Sequence, residues 1–366
     1  EATAEKKSAG KAAGHACGHH LFGTASTAAA IEVKNWLKAN HKKGTIRFYG
    51  CPAEEGGSGK VYLVREGLFN DVDAALHWHP ADANDANPGS ALANKSAKFR
   101  FYGVASHAGM APDKGRSALD AVEAMDMMVN MMREHIPSDA RIHYVITNGG
   151  KAPNVVPDFA EVYYYVRHGN RKTVIELFDR ITKAAEGAAL GTGTKMEYEL
   201  IGGTHELLPN VTLQKMMYAN LVKVGGVHYT EAEKEFGNQI MQSLGIENGD
   251  LNKAAIVQPY KNLDPSFGST DVGDVSFAVP TAGMGSATWV PGTPAHSWQA
   301  VAAGGTDIGN KGMMVAAKTI ALTAIDLFLH QDQIAKAKAE LEEKRGKDFK
   351  YTPLLGDRKP ALDYRK

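Results

Sequence analysis

The chain has 366 residues, enough for two or three domains at roughly 150 residues each. Its 41 Lys and Arg balance 41 Asp and Glu, so there is no dominant field to bind a nucleic-acid backbone or an anionic membrane. A hydrophobic share of 43% with 22% charged residues is that of a globular protein and excludes global disorder.

Thr24 to Ala39 reads as a helix, because Ala28, Ile31 and then Trp36 or Leu37 recur at helical spacing. Thr45 to Tyr49 reads as a short buried strand, with Cys51-Pro-Ala-Glu-Glu-Gly-Gly-Ser58 as the loop at its C-terminal end. Gly59 to Glu66 follows as a helix, and Ala74 to His79 as a strand that Pro80 stops. That order predicts an α/β sheet, whose ligands gather at the strand C-terminal ends. The Asp, Asn, Pro and Gly of Ala81 to Gly89 mark a linker or exposed loop. Beyond it the spacing predicts a strand over Lys98 to Val104 and a Met-rich amphipathic helix over Ser117 to Glu134. Strands over Arg141 to Thr147 and Phe159 to Arg167, a helix over Lys172 to Glu186 and a strand over Lys195 to Ile201 complete the set. This β-α-β-β-α-β order is that of a ferredoxin-like sandwich. It is expected as an insertion, because helices and loops resume from Asn210. The charged stretch Lys336 to Lys350 reads as a solvated helix.

Cys17 and Cys51 are the two cysteines and cannot build a disulfide framework, so a reducing, cytoplasmic setting is expected. No apolar run approaches the ~20 residues a bilayer requires, and Glu1 to Lys11 is too polar for a signal peptide. The expectation is a soluble protein without membrane or nucleic-acid partners.

Four short clusters carry the chemistry. Gly14-His-Ala-Cys-Gly-His-His20 holds a thiol and three imidazoles, and a tight turn at Gly18 can aim Cys17 and His19 at one point. These are good ligands for borderline metals such as zinc, although a His-rich surface loop has the same composition. Glu54 and Glu55 are adjacent on non-helical backbone, so one can hold a metal while the other reaches a water as general base. An ordinary acidic loop is the plainer alternative. His77 and His79 share one face of a strand. His296 lies far off in the Gly/Pro-rich loop Gly292-Thr-Pro-Ala-His-Ser-Trp298. Cys, His, Glu, His and His exceed the needs of one tetrahedral zinc, and with a further Glu they suggest two metals sharing a bridging water. Gly56-Gly57-Ser58-Gly59-Lys60 lacks the spacing of a phosphate-binding loop, and no Gly-x-Ser-x-Gly elbow is present. The series Met125, Met127, Met128, Met131 and Met132 reads as helix core.

Gly14-His-Ala-Cys-Gly-His19, Pro52-Ala-Glu-Glu-Gly-Gly57, Trp78-His-Pro80, Ser106-His-Ala108, Asn154-Val-Val-Pro157 and Gly292-Thr-Pro-Ala-His-Ser-Trp-Gln299 occur in one order. In that order the chain resembles the metal-dependent amidohydrolases related to carboxypeptidase G and aminoacylase. Gly268-Ser-Thr-Asp-Val-Gly-Asp274 and the ending Leu362-Asp-Tyr-Arg-Lys366 point to the aminobenzoyl-glutamate hydrolase branch. The resemblance implies a catalytic domain with a mixed sheet flanked by helices, over 1–94 and 208–366. It implies a ferredoxin-like lid and dimerisation domain over 95–207, pairing two copies. Cys17 would bridge two divalent ions, manganese or zinc, with His19, Glu55, His79 and His296 as the other ligands and His77 in reserve. Glu54 would be the general base. His107 would reach across the dimer into the partner's site, and Asn154 and Arg167 would hold the substrate's carbonyl or carboxylate. His20 stands where the family has Asp or Asn. The family's early sheet strands, which precede the Cys-Gly-His motif, are missing here, so an incomplete catalytic sheet is expected.

The expected activity is amide hydrolysis of small acyl-amino-acid conjugates, aminobenzoyl-glutamate-like acyl-glutamates being favoured. The alternatives are a broader N-acyl-amino-acid amidohydrolase or dipeptidase with the same metals, or a catalytically silent member acting in binding and assembly.

Overall fold

The computed structural model describes residues 2–7, 13–261, 264–265 and 267–362. The family-like ending therefore lies, beyond Leu362, outside the described residues. Helices α1 (His19–Ala39) and α2 (Gly59–Arg65) precede strand β1 (Ala75–Ala81). The short β2 (Gly89–Ser90) leads into β3 (Ala93–Tyr102), α3 (Ala118–Met132), β4 (Arg141–Asn148), β5 (Phe159–His168), α4 (Arg171–Thr192) and β6 (Lys195–Thr204). The chain returns through α5 (Val211–Val224), α6 (Glu231–Ser243), α7 (Asn252–Ala255), β7 (Asp264–Pro265) and α8 (Val272–Ala278). It ends with β8 (Thr281–Ala287), α9 (Trp298–Gly304), α10 (Asp307–Leu329) and α11 (Gln331–Arg345).

The middle of the chain is an antiparallel sheet in the order β4-β5-β3-β6, the arrangement of a ferredoxin-like sandwich. Alternation along the strands sends Ala97, Phe99, Phe101, Val162, Tyr164 and Val166 to one face. There they pack against Met125 and Val129 of α3 and Leu177 and Ile181 of α4. Each large side chain so buried contributes about 1.5–3 kcal/mol. Ser117 caps α3 by accepting from the Asp120 amide, and Asn170 caps α4 by accepting from Lys172. α4 runs past Glu186 to Thr192, where Gly193 ends it with a left-handed φ of 67°. β3 starts five residues before Lys98, because the polar run Asn94 to Ser96 hides its pairing with β5.

The α/β part is built on β1, which pairs in parallel with β8 from Ala75↔Thr281 to Ala81↔Ala287. Bridges Asp85↔Gly285 (antiparallel) and Asn84↔Val257 (parallel) extend this pair. Three expectations change here. β1 does not stop at Pro80 but runs through it to Ala81, since Pro80 is buried on a strand that among the described residues pairs with β8 alone. The helix expected from Thr24 starts at His19, so His19 sits on its first turn. Thr45 to Tyr49 forms no strand among the described residues, and Phe48 is 51% exposed. It is held instead from the side: Arg47 donates to Asp71 at 2.6 Å and the Tyr49 hydroxyl to the Leu68 carbonyl at 2.8 Å.

α10 is long and apolar enough, by length and composition, to cross a membrane; Lys318 and Asp326 break up that run in the sequence. In the fold it packs against α1, α5 and β8, burying Val315, Ile320 and Leu327 in the core of the α/β part. α11 is not wholly solvated: Ala337 and Leu341 are buried, and Glu340 accepts from the amides of Val211 and Thr212 at the start of α5.

Candidate metal centre

Three loops converge at the C-terminal end of β1. In the first, Gly18 takes a φ of 78°, and a Cβ there would meet the Pro80 ring at 2.6 Å. Only glycine lets this turn close on β1. Closure puts Cys17 Sγ 3.4 Å from His79 Nε2. In the second, the loop before α2 carries Glu55, whose Oε1 lies 3.5 Å from His19 Nε2. In the third, His296 adopts a left-handed φ of 64° and brings Nε2 to 3.1 Å from the same oxygen. That backbone is fixed from both sides: the His296 amide donates to Ala16 O at 2.9 Å and the Gly292 amide to Asp82 at 2.8 Å. The ligand atoms of Cys17, His19 and Glu55 all lie within 4.8 Å of one another. His79 and His296 touch that group, so all five residues expected as ligands come together.

His79 also shows which nitrogen is available. Its Nδ1 lies 2.6 Å from the Pro80 carbonyl, which can only accept, so Nδ1 carries the proton and Nε2 turns a lone pair toward Cys17. His77 lies instead across β8, where its ring leaves no room for a Cβ at Gly283, and burial pulls it down to about 4. Burial first, and then Glu55, push the Cys17 thiol up to about 12. A thiol held this way resists ionising, and a divalent cation beside it reverses that. Sulfur, imidazole nitrogen and carboxylate oxygen on one point fit such an ion. His20 sits behind the centre, with Nε2 3.1 Å from the Gly304 carbonyl.

Glu54 is half-buried beside this group. Burial and then Asp271 push its carboxyl above the usual range, while Lys60 and the nearby Thr270 hydroxyl pull the other way. Asp271 accepts from both the Lys60 amide and the Lys60 ammonium at 2.9 Å. Sequence reading missed these supports. Lys60 was legible only as part of a failed phosphate-loop pattern, and Asp271 only as one letter of the Gly268–Asp274 motif.

The remaining expected residues stand apart from the metal cluster. His107 is exposed, and its Nδ1 accepts from the amides of Gly109 and Met110 at 3.2 and 3.1 Å. The ring proton is therefore on Nε2, which points outward as a donor. Asn154 is beside it: its carbonyl accepts from Ala108, and Ser106 O from Val156, both at 3.0 Å. Arg167 lies toward the other end of β5, eight residues beyond Phe159, a rise of ~27 Å. Its guanidinium sits 5.4 Å over the Tyr165 ring, and its buried Nε has no hydrogen-bond partner among the described residues.

Known proteins share this chain's sequence and fold. Residues 93–192 match the peptidase dimerisation domain of the M20 family. The chain is 44% identical over 355 residues to a p-aminobenzoyl-glutamate hydrolase subunit of Escherichia coli (strain K12), covering 90% of this chain and 74% of that protein. It is 31% identical over 322 residues to the Xaa-Arg dipeptidase of Mus musculus, covering 87% and 67%. Among solved structures, the aminobenzoyl-glutamate utilization protein of Klebsiella pneumoniae superposes with a TM-score of 0.58 at 22% identity, covering 82% and 67%. A Bacillus subtilis dinuclear metal binding peptidase from the M20 family gives 0.53 at 18%, covering 86% and 73%. These last two show the shared fold. The chain thus belongs to the M20 family of peptidases and amidohydrolases and is a hydrolase of amide or peptide bonds.

Proposed function

We propose that the chain cleaves the amide bond of small acyl-amino-acid conjugates, with acyl-glutamates of the aminobenzoyl-glutamate kind as favoured substrates. The reading rests on one observation, the convergence of Cys17, His19, Glu55, His79 and His296 beside the half-buried Glu54. The five would hold two divalent ions, manganese or zinc. When bound, these ions polarise the scissile carbonyl and acidify a water. Glu54 takes the proton of the attacking water and hands it to the leaving amine. A partner copy's His107 loop donates an Nε2–H hydrogen bond to the carbonyl oxygen as charge builds there. Asn154 assists from the same loop pair, and Arg167 takes the substrate carboxylate.

The inserted domain, 95–207, pairs two copies in this account. The match to a dimerisation domain supports it, as does an exposed apolar strip on α3 and the edge strand β4. There Met127 is 61% exposed, Met131 63% and Val145 55%, so of the methionine series read as helix core Met125 and Met132 are buried and Met127, Met128 and Met131 face outward. The Escherichia coli relative is named as one subunit of its hydrolase, and the other subunit named for that hydrolase is also similar to this chain, at 27% over 219 residues. Mass measurement of the native complex separates a homodimer from a mixed assembly.

A substrate panel at matched enzyme concentration tests the specificity. Aminobenzoyl-glutamate should be turned over faster than acetyl-amino acids and than dipeptides ending in Arg. Faster cleavage of those dipeptides would favour the dipeptidase reading that the Mus musculus relative suggests.

A further inference from the structure

α2 and α8 are each missing the cap that their own sequence offers. Ser58, at the N-cap of α2, has a left-handed φ of 54° and makes no side-chain cap. Asp271, at the N-cap of α8, makes none to its own helix either. Its carboxylate crosses to α2, where one oxygen accepts the Lys60 amide and the other the Lys60 ammonium. Asp271 is 1% exposed, so both its oxygens are withdrawn from water and spent on a single residue 211 positions away. Its neighbour Thr270 lies beside Glu54.

The loop between these anchors is under backbone strain. Ala53 and Ser58 hold φ values of 60° and 54°, and Gly56 one of 132°. Its internal bonds are few: Gly56 donates to Glu54 O and Gly57 to Ala53 O, both at 2.8 Å. A Cβ at Gly59 would meet the Pro52 carbonyl at 2.0 Å, so the loop closes tightly on itself. Non-glycine residues stay in such conformations only when the surroundings over-determine them. Asp271, through its two bonds to Lys60, supplies that constraint at the end of the loop that carries Glu54 and Glu55, with Thr270 beside Glu54.

We infer that Asp271, through Lys60, is a positioning residue for Glu54: it caps α2 from outside and fixes the loop that aims the general base. This rests on the assignment of Glu54 as the base. Asp271 touches neither substrate nor ions in this account, so its loss should act on turnover and not on binding.

The test uses the full chain, loaded with metal, and four variants: Asp271→Asn, Asp271→Ala, Lys60→Met and Lys60→Arg. Asp271→Asn should keep its metal content and lower kcat ~10- to ~100-fold with KM changed less than ~3-fold, as expected for a misaimed group. Lys60→Met should behave likewise, and Lys60→Arg should retain most of the activity. In a Glu54→Gln background Asp271→Asn should cost no more than ~2-fold, because the group it aims is already gone. Amide hydrogen exchange of the metal-free protein should speed up at Gly56, Gly57 and Lys60 and stay unchanged in the inserted sheet. Equal losses in the two backgrounds, or unaltered exchange in the loop, would overturn the inference. Should Asp271→Ala not fold, Asp271→Asn and Lys60→Arg still decide it. If the wild type cleaves no acyl-amino acid, the proposed function fails by itself, and the exchange result still judges the loop.

Discussion

Adjacent Glu54 and Glu55 face different neighbours, and that difference supports the roles proposed for them. Glu55 touches His19 and His296, whereas Glu54 turns toward Thr270, Asp271 and Lys60. Glu54→Gln should therefore keep the metals yet lower turnover ~10²- to ~10⁴-fold, the range for losing a positioned acid-base group. Glu55→Gln should lose metal. Metal content measured beside kcat checks both, and the opposite pattern would exchange the two roles. His79 is the other decisive residue, because the Pro80 carbonyl leaves only Nε2 for a ligand bond. The five ligand candidates and Glu54, the proposed base, could be picked out because each sits in a short motif; around Cys17, His19, Glu54, Glu55 and His296 glycines favour a turn, while His79 directly precedes Pro80 on β1. The choice of His79 over His77 was not derivable from spacing: both share one face of β1, and only the Cys17 turn distinguishes them.

At the level of elements, α8 and the segment after α11 meet in a buried polar cluster. Asp274, fully buried, accepts from the Tyr351 hydroxyl at 2.8 Å and from the His205 amide at 2.9 Å. Burial pushes Asp274 up from 3.8 to about 7, so the folded chain keeps a proton that the unfolded chain releases. Its contribution to stability is full below 3.8 and is lost as pH rises through about 7. His205 works in the other direction. Burial pulls it from 6.5 to about 4, so its contribution is full above 6.5 and is lost as pH falls through about 4. Asp274→Asn removes the first dependence and leaves the second. The melting temperature of the variant, relative to wild type, should rise from pH ~5 to pH ~8; a constant difference would contradict this assignment. None of this cluster was visible in the sequence, because its members are brought together from three distant segments. The ferredoxin-like sheet was visible, since Phe99, Phe101, Val162 and Tyr164 alternate within single strands. Thr45 to Tyr49 misled for the converse reason: an apolar run looks alike whether or not a neighbouring strand exists to pair with it.

For the whole molecule, the proposed pairing of two copies rests on the inserted domain, whose residues 93–192 match a peptidase dimerisation domain. His107 and Asn154 lie at the end of its sheet away from Arg167, and in the proposed two-fold pair each site would draw on both copies. Met131→Glu, which puts a charge on the exposed strip of α3, should yield a monomer by native mass measurement and lose at least ~10²-fold in activity, as removal of one oxyanion donor does. His107→Ala should be inactive alone, as should Glu54→Gln. Mixing the two proteins should restore part of the activity through heterodimers with one intact site, while no recovery despite proven exchange would place His107 outside catalysis. Everything else depends on the centre made by Cys17, His19, Glu55, His79 and His296. The direct measurement is titration of the metal-free chain with manganese or zinc while amide hydrolysis is followed. The account predicts about two ions bound per chain, with activity returning in step. A metal-free chain with full amidase activity would contradict it.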